Sequence, residues 1–325
     1  MNSFLQFIYL AVFICLTDIA VAKDALLEPV SKHGYLSVSG VDLVDQNGQK
    51  VQLKGMALFW SIWYPEFYNQ ATVDGVKNYC HSNVIRAALA VDTKDGGYLQ
   101  DPSGQSRLVE AVIDAAIKDD IYVIVNWQEV DNNIHLSEAK GFFDNISKKY
   151  GSHPNIIYEP YNEPIDQSWG SVLKPYYEEI IRTIRANDPN NLIMLGPPAY
   201  STSMDIAADD PLTGQKNIMY SMHFYSGTHR QWLRDKAEYA LSKGLPIFVT
   251  EYGSVNADAS APVDVEETRR WYDWLDARGI SYVNYDISDK AEGASALIPG
   301  TTAAQTCQDQ YLTESGHLAV NQNKS

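Results

Sequence analysis

Two apolar runs in this sequence each lead to a glutamate, and these carboxylates are the side chains best placed to do chemistry. Residues 155–162 are typical of a strand buried on both faces, and Glu163 follows them between an asparagine and a proline. Residues 246–252 repeat the pattern around Glu251, before a glycine that permits a turn. Paired carboxylates suit glycosidic bond cleavage, in which one is protonated and the other ionised. Loop capping or ion pairing is the alternative role for each glutamate.

The elements that must position these carboxylates alternate along the chain from Leu53 onward. Apolar strand-like runs are separated by segments in which apolar residues recur at i, i+3, i+4 and i+7, as in an amphipathic helix. Eight such strands with alternating helices predict a single (β/α)8 TIM barrel. A doubly wound sheet is the alternative, but no glycine-rich phosphate turn follows the first strand. The predicted strands are 53–59, 83–89, 121–127, 155–162, 192–198, 218–226, 246–252 and 281–287, and the predicted helices are 72–81, 106–117, 137–150, 172–187, 229–243 and 264–278, with a weaker one at 203–209.

The residues before the barrel predict a leader and a hairpin. Residues 4–16 are almost continuously apolar and residues 20–22 read Ala-Val-Ala, a pattern that indicates a secretory signal peptide over residues 1–22; a membrane anchor is the alternative. Apolar positions alternate through residues 34–53 on both sides of an Asn-Gly pair, and this pattern predicts a β-hairpin that closes the bottom of the barrel. Residues 23–325 are expected to form one catalytic domain without an attached carbohydrate-binding module, since no low-complexity linker is present.

Charge and cysteine content narrow the expected partners and compartment. The formal net charge is −16, without a cluster of basic residues, so nucleic acid and anionic membranes are improbable partners and a neutral polysaccharide fits. We expect a secreted, extracellular protein that is a monomer and free of the membrane once the signal is removed. Cys15 lies in the leader, and Cys80 and Cys307 are predicted to pair in an oxidising compartment. The histidines show no metal-ligand spacing, so neither a metal nor an organic cofactor is implied.

In a (β/α)8 barrel the carboxyl ends of the strands open onto one face, where the βα-loops build the active site. Polar and aromatic residues at the predicted strand ends should therefore surround a common mouth. These residues are Arg86, Trp127, Gln128, Asn162, Glu163, His223, Tyr225, Glu251 and Tyr285.

Five short motifs follow one another in order from about Gly34 to the C-terminus, and each stands at a predicted strand end. They occupy residues 53–56, 84–88, 161–164, 222–225 and 248–253. Together they resemble glycoside hydrolase family 5, and within it the bacterial-type cellulases that also occur as secreted proteins of plant-parasitic nematodes. The resemblance implies a retaining endo-β-1,4-glucanase that hydrolyses cellulose or related plant cell-wall glucans.

The resemblance also implies a role for each polar residue at the mouth. Glu163 would be the general acid and then the base, and Glu251 the nucleophile, which requires the two carboxyl groups to lie about 5 to 5.5 Å apart. Arg86 would keep Glu251 ionised, although an ordinary buried ion pair is the alternative. Asn162 is expected to hydrogen-bond the sugar 2-hydroxyl, and Tyr225 is expected to orient the nucleophile. His223 is expected to lie beside the acid/base or a sugar hydroxyl, and the alternative is a core histidine whose hydrogen bonds are satisfied within the protein.

Aromatic side chains should form platforms for the apolar faces of the sugar rings. Trp169 is the strongest candidate, because it follows the acid/base loop at the position where the family stacks a sugar on the leaving-group side. The full set of candidates is Trp60, Trp63, Trp127, Trp169 and Tyr285.

Three positions depart from the family pattern. The third strand usually ends Asp-Trp-His, whereas this chain has Asn126, Trp127 and Gln128, and Tyr285 stands where the eighth strand usually offers a tryptophan. Gln128 remains a hydrogen-bonding residue, but it cannot ionise as histidine can. Two alternatives therefore stay open: hydrolysis of another β-glycan such as mannan, xylan or a branched glucan, and a weakly active polysaccharide-binding secreted protein.

Overall fold

The structure, a computed structural model, describes residues 30–260 and 262–325, so the predicted signal peptide lies outside the described residues. Eight parallel strands close into a barrel, in which the last strand pairs with the first. This confirms the predicted (β/α)8 fold. The barrel strands are β3 (Lys54–Leu58), β4 (Val84–Ala90), β5 (Tyr122–Gln128), β6 (Ile156–Glu159), β7 (Leu192–Leu195), β8 (Ile218–Tyr225), β9 (Ile247–Gly253) and β10 (Tyr282–Ile287), and a separate pair precedes them, β1 (Ser37–Ser39) and β2 (Asp42–Val44).

Helices between the strands form the outer layer. The seven predicted helices are present with ends that differ by a few residues, and a final helix near the C-terminus was missed by the sequence reading because its apolar periodicity is weak. Among the described residues no helix is both long and apolar enough to cross a membrane. The helices are α1 (Val30–His33), α2 (Gln70–Asn78), α3 (Pro102–Lys118), α4 (Leu136–Tyr150), α5 (Lys174–Arg185), α6 (Met204–Asp209), α7 (Gln231–Ser242), α8 (Val265–Asp276) and α9 (Glu314–Asn323).

The pleat of each strand sorts its side chains between the barrel interior and the helix layer. On β5, Tyr122 and Ile124 belong to the inner apolar cluster, whereas Val123 and Val125 belong to the outer cluster beneath the helices. Strand β6 ends at Glu159, earlier than predicted, since Pro160 cannot donate a ladder hydrogen bond. Inward positions near the carboxyl ends of the strands can therefore carry polar side chains into a shared mouth.

A small antiparallel pair closes the opposite end of the barrel, as predicted, but its turn is not the predicted one. Strands β1 and β2 pair around Gly40, and the Asn-Gly turn closes a single bridge between Val44 and Lys50. The segment seals the barrel because Leu36 and Leu43 join the inner apolar cluster. The chain has two successive turns here, since Gly40 and Gly48 both adopt positive φ angles, of 64° and 75°.

The predicted disulfide between Cys80 and Cys307 is present, with the two Cα atoms 5.3 Å apart. It joins the end of α2 to the segment before α9, and both cysteines are buried. The cross-link closes a loop of 227 residues. A loop of this length removes much of the conformational freedom of the unfolded chain.

We expect the double variant Cys80→Ala/Cys307→Ala to be less stable than the wild type by up to about 4 to 5 kcal/mol, from the loop-closure entropy restored to the unfolded state. Urea unfolding followed by tryptophan fluorescence measures this change. Activity of the folded variant should persist, because the disulfide lies away from the carboxyl ends of the strands. An unchanged unfolding midpoint would show that the cross-link contributes no stability.

Candidate active site

Three barrel strands and one loop bring the predicted polar residues together at the carboxyl end of the barrel. Arg86 on β4, His223 on β8 and Glu251 on β9 are each at most 4% exposed. Asn162 and Glu163 lie in the loop that follows β6. One oxygen of Glu163, one of Glu251 and a ring nitrogen of His223 lie within 4.8 Å of one another. The two glutamates that the sequence singled out therefore face each other.

Glu251 is held by two donors. The Arg86 guanidinium donates from Nη1 to Glu251 Oε2 at 3.0 Å, and the Tyr225 hydroxyl donates to Glu251 Oε1 at 2.7 Å. Burial and the charge of Glu251 raise the pKa of Tyr225 well above its ordinary value, so the phenol keeps its proton and donates. Both contacts fix the direction of the Glu251 oxygens.

Glu163 lies in a different environment, next to His223. Nδ1 of His223 is 2.8 Å from Glu163 Oε1, and its Nε2 is 3.0 Å from Thr250 Oγ1. Burial raises the pKa of Glu163, and the charge of Glu251 adds to this, although the hydrogen bond with His223 lowers it. Burial alone would lower the pKa of His223, but the neighbouring glutamates raise it to about 9. The Glu163–His223 pair therefore retains a proton at neutral pH.

A buried carboxylate that the sequence reading passed over supports this arrangement. Glu159 lies on β6, four residues before Glu163, and accepts from Arg86 Nε at 2.6 Å and from Ser221 Oγ at 3.1 Å. Burial alone would raise the pKa of Glu159, but the charge of Arg86 outweighs it and lowers the pKa to about 2. Arg86 also donates to Asn162 Oδ1 at 2.5 Å. This contact leaves the Asn162 amide NH₂ free to turn toward a substrate hydroxyl.

Three predicted aromatic residues lie on the side of the mouth formed by β3 and β10. Trp63 is 37% exposed and bonds Asp95 Oδ2 through Nε1 at 2.8 Å, and Trp60 packs against it with ring centroids 5.1 Å apart. Tyr285 is nearly buried and packs on Phe59 at 5.6 Å. A cavity of about 500 Å³ lies between Trp63, Phe59 and the loop after β10. The exposed face of Trp63 is the part of this group that can meet a sugar ring.

The prediction that Trp127 and Trp169 are sugar-binding platforms is wrong. Trp127 is fully buried between the barrel and α4, where it packs on Phe142 with ring centroids 5.6 Å apart. The strand pleat explains this, since Trp127 lies between two inward residues and must point outward. Trp169 is 4% exposed and donates from Nε1 to the carbonyl of Asp210 while packing on Tyr177. Neither ring presents a face to the mouth.

Tyr200, which the sequence reading missed, is an exposed aromatic residue beside the catalytic pair. It is 48% exposed and lines a cavity of about 550 Å³ that also contains Glu163 and Glu251. Residues Ala199–Ser201 all have φ near 57°, a conformation that costs about 1 to 2 kcal/mol per residue. Backbone bonds from Ala199 and Tyr200 to the acid/base loop, at 2.7 and 2.9 Å, hold this turn. An aromatic residue two positions after a pair of prolines, just beyond a strand, is the signal that could have identified it.

The positions that depart from the family pattern point into the barrel. Asn126 and Gln128 share the inward face of β5 and are at most 2% exposed. Among the described residues, both polar atoms of the Asn126 side chain and Oε1 of Gln128 have no hydrogen-bond partner. A buried polar group left unpaired costs about 1 to 3 kcal/mol. These unpaired atoms are buried on the inward face of the barrel.

The distances around His223 would also permit a metal ion. Glu163, His223 and Glu251 offer three ligand atoms, but the ring nitrogen nearest Glu163 is already hydrogen-bonded to it. An acid–base pair accounts for this contact without a metal. The expectation that the protein needs no metal or organic cofactor stays a prediction.

The fold and the facing glutamates together define a glycoside hydrolase of the (β/α)8 class. A model of the cellulase family, glycosyl hydrolase family 5, matches residues 44–291, and the chain belongs to this family. Endoglucanase Z of Dickeya dadantii is 43% identical over 288 residues, and an endoglucanase of Clostridium saccharobutylicum is 42% identical over 287. The matches cover 86% and 87% of this chain but only 65% and 63% of those proteins.

A solved structure agrees with these sequence matches. The catalytic domain of endoglucanase Cel5A from Thermobifida fusca has a TM-score of 0.86 at 29% identity, covering 91% of this chain and 99% of that one. The family prediction is therefore confirmed. The narrower resemblance to secreted enzymes of plant-parasitic nematodes is tested by none of these matches and stays a prediction.

Proposed function

We propose that this protein is a secreted, retaining endo-β-1,4-glucanase that hydrolyses internal bonds of cellulose or related plant cell-wall glucans. The observation that carries the proposal is the short separation of the two glutamates, which have carboxylate oxygens within 4.8 Å of each other. Retaining glycosidases hold their carboxyl groups about 5 to 5.5 Å apart, whereas inverting enzymes leave about 6.5 to 9.5 Å for a water. The different surroundings of the two carboxylates support a division of labour.

In the first step, Glu251 attacks the anomeric carbon while Glu163 gives its proton to the departing glycosidic oxygen. A covalent glycosyl ester on Glu251 forms as the C–O bond to the leaving sugar breaks. In the second step, Glu163, now ionised, takes a proton from a water molecule whose oxygen attacks the anomeric carbon. The ester bond breaks, Glu251 is regenerated, and Glu163 again carries a proton.

The neighbouring residues fit these two steps. Arg86 and Tyr225 bind the two oxygens of Glu251, so the carboxylate is charged and aimed before attack and is stabilised again when it leaves. Asn162 is oriented by Arg86 and is adjacent in sequence to the acid, where its amide can bond the sugar 2-hydroxyl. His223 holds the Glu163 carboxyl and the shared proton.

The shape of the mouth supports an endo-acting enzyme and a neutral glucan. Cavities lie on both sides of the catalytic pair, with Trp63 near β3 and Tyr200 after β7, four strands around the barrel. A chain can therefore extend past the glutamates in both directions. The matched relatives carry the name endoglucanase, and a variant of the Thermobifida fusca domain was solved in complex with cellotetraose.

Secretion is part of the proposal for two reasons. The apolar residues 4–16 and the Ala-Val-Ala pattern at 20–22 indicate a cleaved signal peptide. A buried disulfide is typical of an oxidising compartment. N-terminal sequencing of the secreted protein should begin near residue 23.

A second candidate is hydrolysis of another cell-wall β-glycan, such as mannan, xylan or a branched glucan. Asn126 and Gln128 favour it, because they differ from the family pattern and carry unpaired polar atoms on the inward face of β5. Tyr285 offers a smaller aromatic face than the usual tryptophan. A weakly active polysaccharide-binding protein is the remaining alternative.

The test is the release of reducing sugar from carboxymethylcellulose, mixed-linkage glucan, glucomannan, xylan and arabinogalactan, with Glu251→Gln as the blank. We expect the highest rate on carboxymethylcellulose together with a rapid fall in viscosity, since internal cuts shorten the chain early. Higher activity on another glycan would favour the second candidate. No activity on any substrate would support the binding protein.

A further inference from the structure

A half-exposed tryptophan that the proposed mechanism does not use lies beside the catalytic mouth. Trp232 is 46% exposed and is the second residue of α7, the helix that follows the carboxyl end of β8. Because this helix starts at the active face, Trp232 lies at the rim and not at the barrel bottom. A single exposed aromatic side chain is ordinary on a protein surface, so its significance depends on what it adjoins.

Trp232 is continuous with the catalytic cavity through His229. The two rings have centroids 5.6 Å apart, and His229 lines the same cavity as Glu163, Glu251 and Tyr200. A sugar chain that leaves the glutamates along this wall would therefore pass Tyr200 and His229 before it reaches Trp232.

His229 is fixed in position and neutral. Its Nδ1 accepts the Tyr225 backbone N–H at 2.8 Å, and its own carbonyl accepts from Trp271 Nε1 at 2.9 Å. Burial lowers the pKa of His229 to about 4, so the imidazole carries one proton, on Nε2. The wall between the mouth and Trp232 is thus uncharged, as a wall that meets sugar hydroxyls and C–H groups should be.

Trp232 is also held by its neighbours on the outer side. The Lys236 Nζ lies 6.0 Å from the centre of the indole ring and forms an ion pair with Asp205 on α6 at 3.1 Å. This contact limits the motion of the indole. A pre-positioned ring loses little conformational entropy when a sugar stacks on it.

Tyr200 lies on the acid side of the site, and it shares its cavity with His229, the residue that Trp232 contacts. The backbone of Tyr200 is bonded to Pro164, the residue after Glu163, at 2.9 Å. The acid must contact the oxygen of the departing sugar, so the wall adjoining it receives the leaving part of the chain. The cavity on the Trp63 side contains neither glutamate.

We propose that Trp232 forms an additional leaving-group subsite, one that stacks a β-1,4-linked glucose unit lying beyond the sugar at Tyr200. The subsite rests on the proposed function, because it needs a glucan that is cleaved at Glu163 and Glu251. It would set the minimum chain length at which the enzyme reaches full efficiency. Substrates without several sugars on the leaving side would gain nothing from it.

The test is the ratio of kcat/KM for cellohexaose to kcat/KM for an aryl β-cellotrioside, whose leaving group is a single small ring. In Trp232→Ala this ratio should fall about three- to tenfold, from loss of one aromatic stacking contact. Trp232→Phe should restore part of the ratio, because a smaller aromatic face remains. The cleavage pattern of end-labelled cellohexaose should shift toward cuts with fewer sugars on the leaving side.

The matched control is Tyr239→Ala. Tyr239 is 38% exposed on the same face of α7 but about 10 Å farther from the mouth, seven residues along the helix. In Tyr239→Ala, the ratio of kcat/KM for cellohexaose to kcat/KM for the aryl β-cellotrioside should equal that of the wild type. An equal fall in both variants would overturn the subsite and indicate a lateral sugar-binding surface, and an unchanged ratio in Trp232→Ala would overturn it outright. If the wild type cleaves neither substrate, the proposed function fails instead.

Discussion

Replacing Glu251 by glutamine is expected to lower kcat on cellohexaose by about 10⁴-fold or more, as removal of a covalent nucleophile does. The amide keeps the shape of the side chain and can still accept a hydrogen bond from Arg86 or Tyr225, which donate to Glu251 at 3.0 and 2.7 Å. It cannot form a glycosyl ester. Isothermal titration calorimetry should show that Glu251→Gln binds cellohexaose with a Kd within about threefold of the wild-type Kd inferred from inhibition kinetics. The affinity should persist because removal of the nucleophile leaves the aromatic sugar-binding platforms intact.

The control for the loss of one charge is Glu266→Gln. Glu266 is an exposed carboxylate on α8 that pairs with Arg270, and its replacement should leave kcat unchanged. Urea unfolding of both variants separates a folding defect from a chemical one. A kcat of Glu251→Gln above one tenth of the wild-type kcat would contradict the proposed mechanism.

The stereochemistry of azide rescue identifies the role of Glu251 more directly. In Glu251→Ala, azide can enter the vacated space and attack the anomeric carbon of an activated aryl β-cellobioside as the aryl oxide leaves. A single displacement inverts the centre, so the expected product is the α-glycosyl azide, which proton NMR distinguishes from the β form. A β-azide from this variant would contradict the assignment of Glu251 as nucleophile.

The fold could be predicted because the strand and helix periods are local properties of the sequence. Eight apolar runs of strand length alternated with seven predicted helices, and only a barrel or a doubly wound sheet accommodates that alternation. The C-terminal helix α9 was missed since its polar and apolar residues are not segregated to opposite faces. The turn at Gly40 was missed because the Asn-Gly pair at 47–48 is the stronger hairpin signal, yet it closes only a single bridge.

The site could be predicted in part, for a related reason. Glu163 follows β6 and Glu251 lies near the end of β9, and the carboxyl end of a strand has a known position in a barrel. The orientation of Trp127 depends on the pleat, which places it outside although its neighbours on β5 face inward. Tyr200 depends on a left-handed turn held by distant backbone bonds, which no local pattern encodes. Glu159 lay within a predicted strand, where the alternation from Ile157 already placed it inward.

Removing Glu163 is the second change with a large expected effect. In Glu163→Ala, kcat/KM for cellohexaose should fall about 10²- to 10⁴-fold, since the leaving oxygen then departs without a proton. With a 2,4-dinitrophenyl β-cellobioside the loss in kcat/KM should be small, because that leaving group is stable as an anion. Its kcat should still fall, because no base then activates the water in the second step. Stopped-flow measurement should show a burst as the glycosyl ester accumulates.

Azide and pH then separate this acid/base role from a structural one. Azide should restore kcat of Glu163→Ala and give the β-glycosyl azide, since two displacements retain configuration, opposite to the product from Glu251→Ala.

In the wild type, the Glu163–His223 pair loses its proton as pH rises, given that both pKa values are raised, so kcat/KM for cellohexaose should fall on the alkaline side. In Glu163→Ala, the residual kcat/KM for cellohexaose should lack this fall. An identical alkaline limb in the variant would mean that another group supplies the proton.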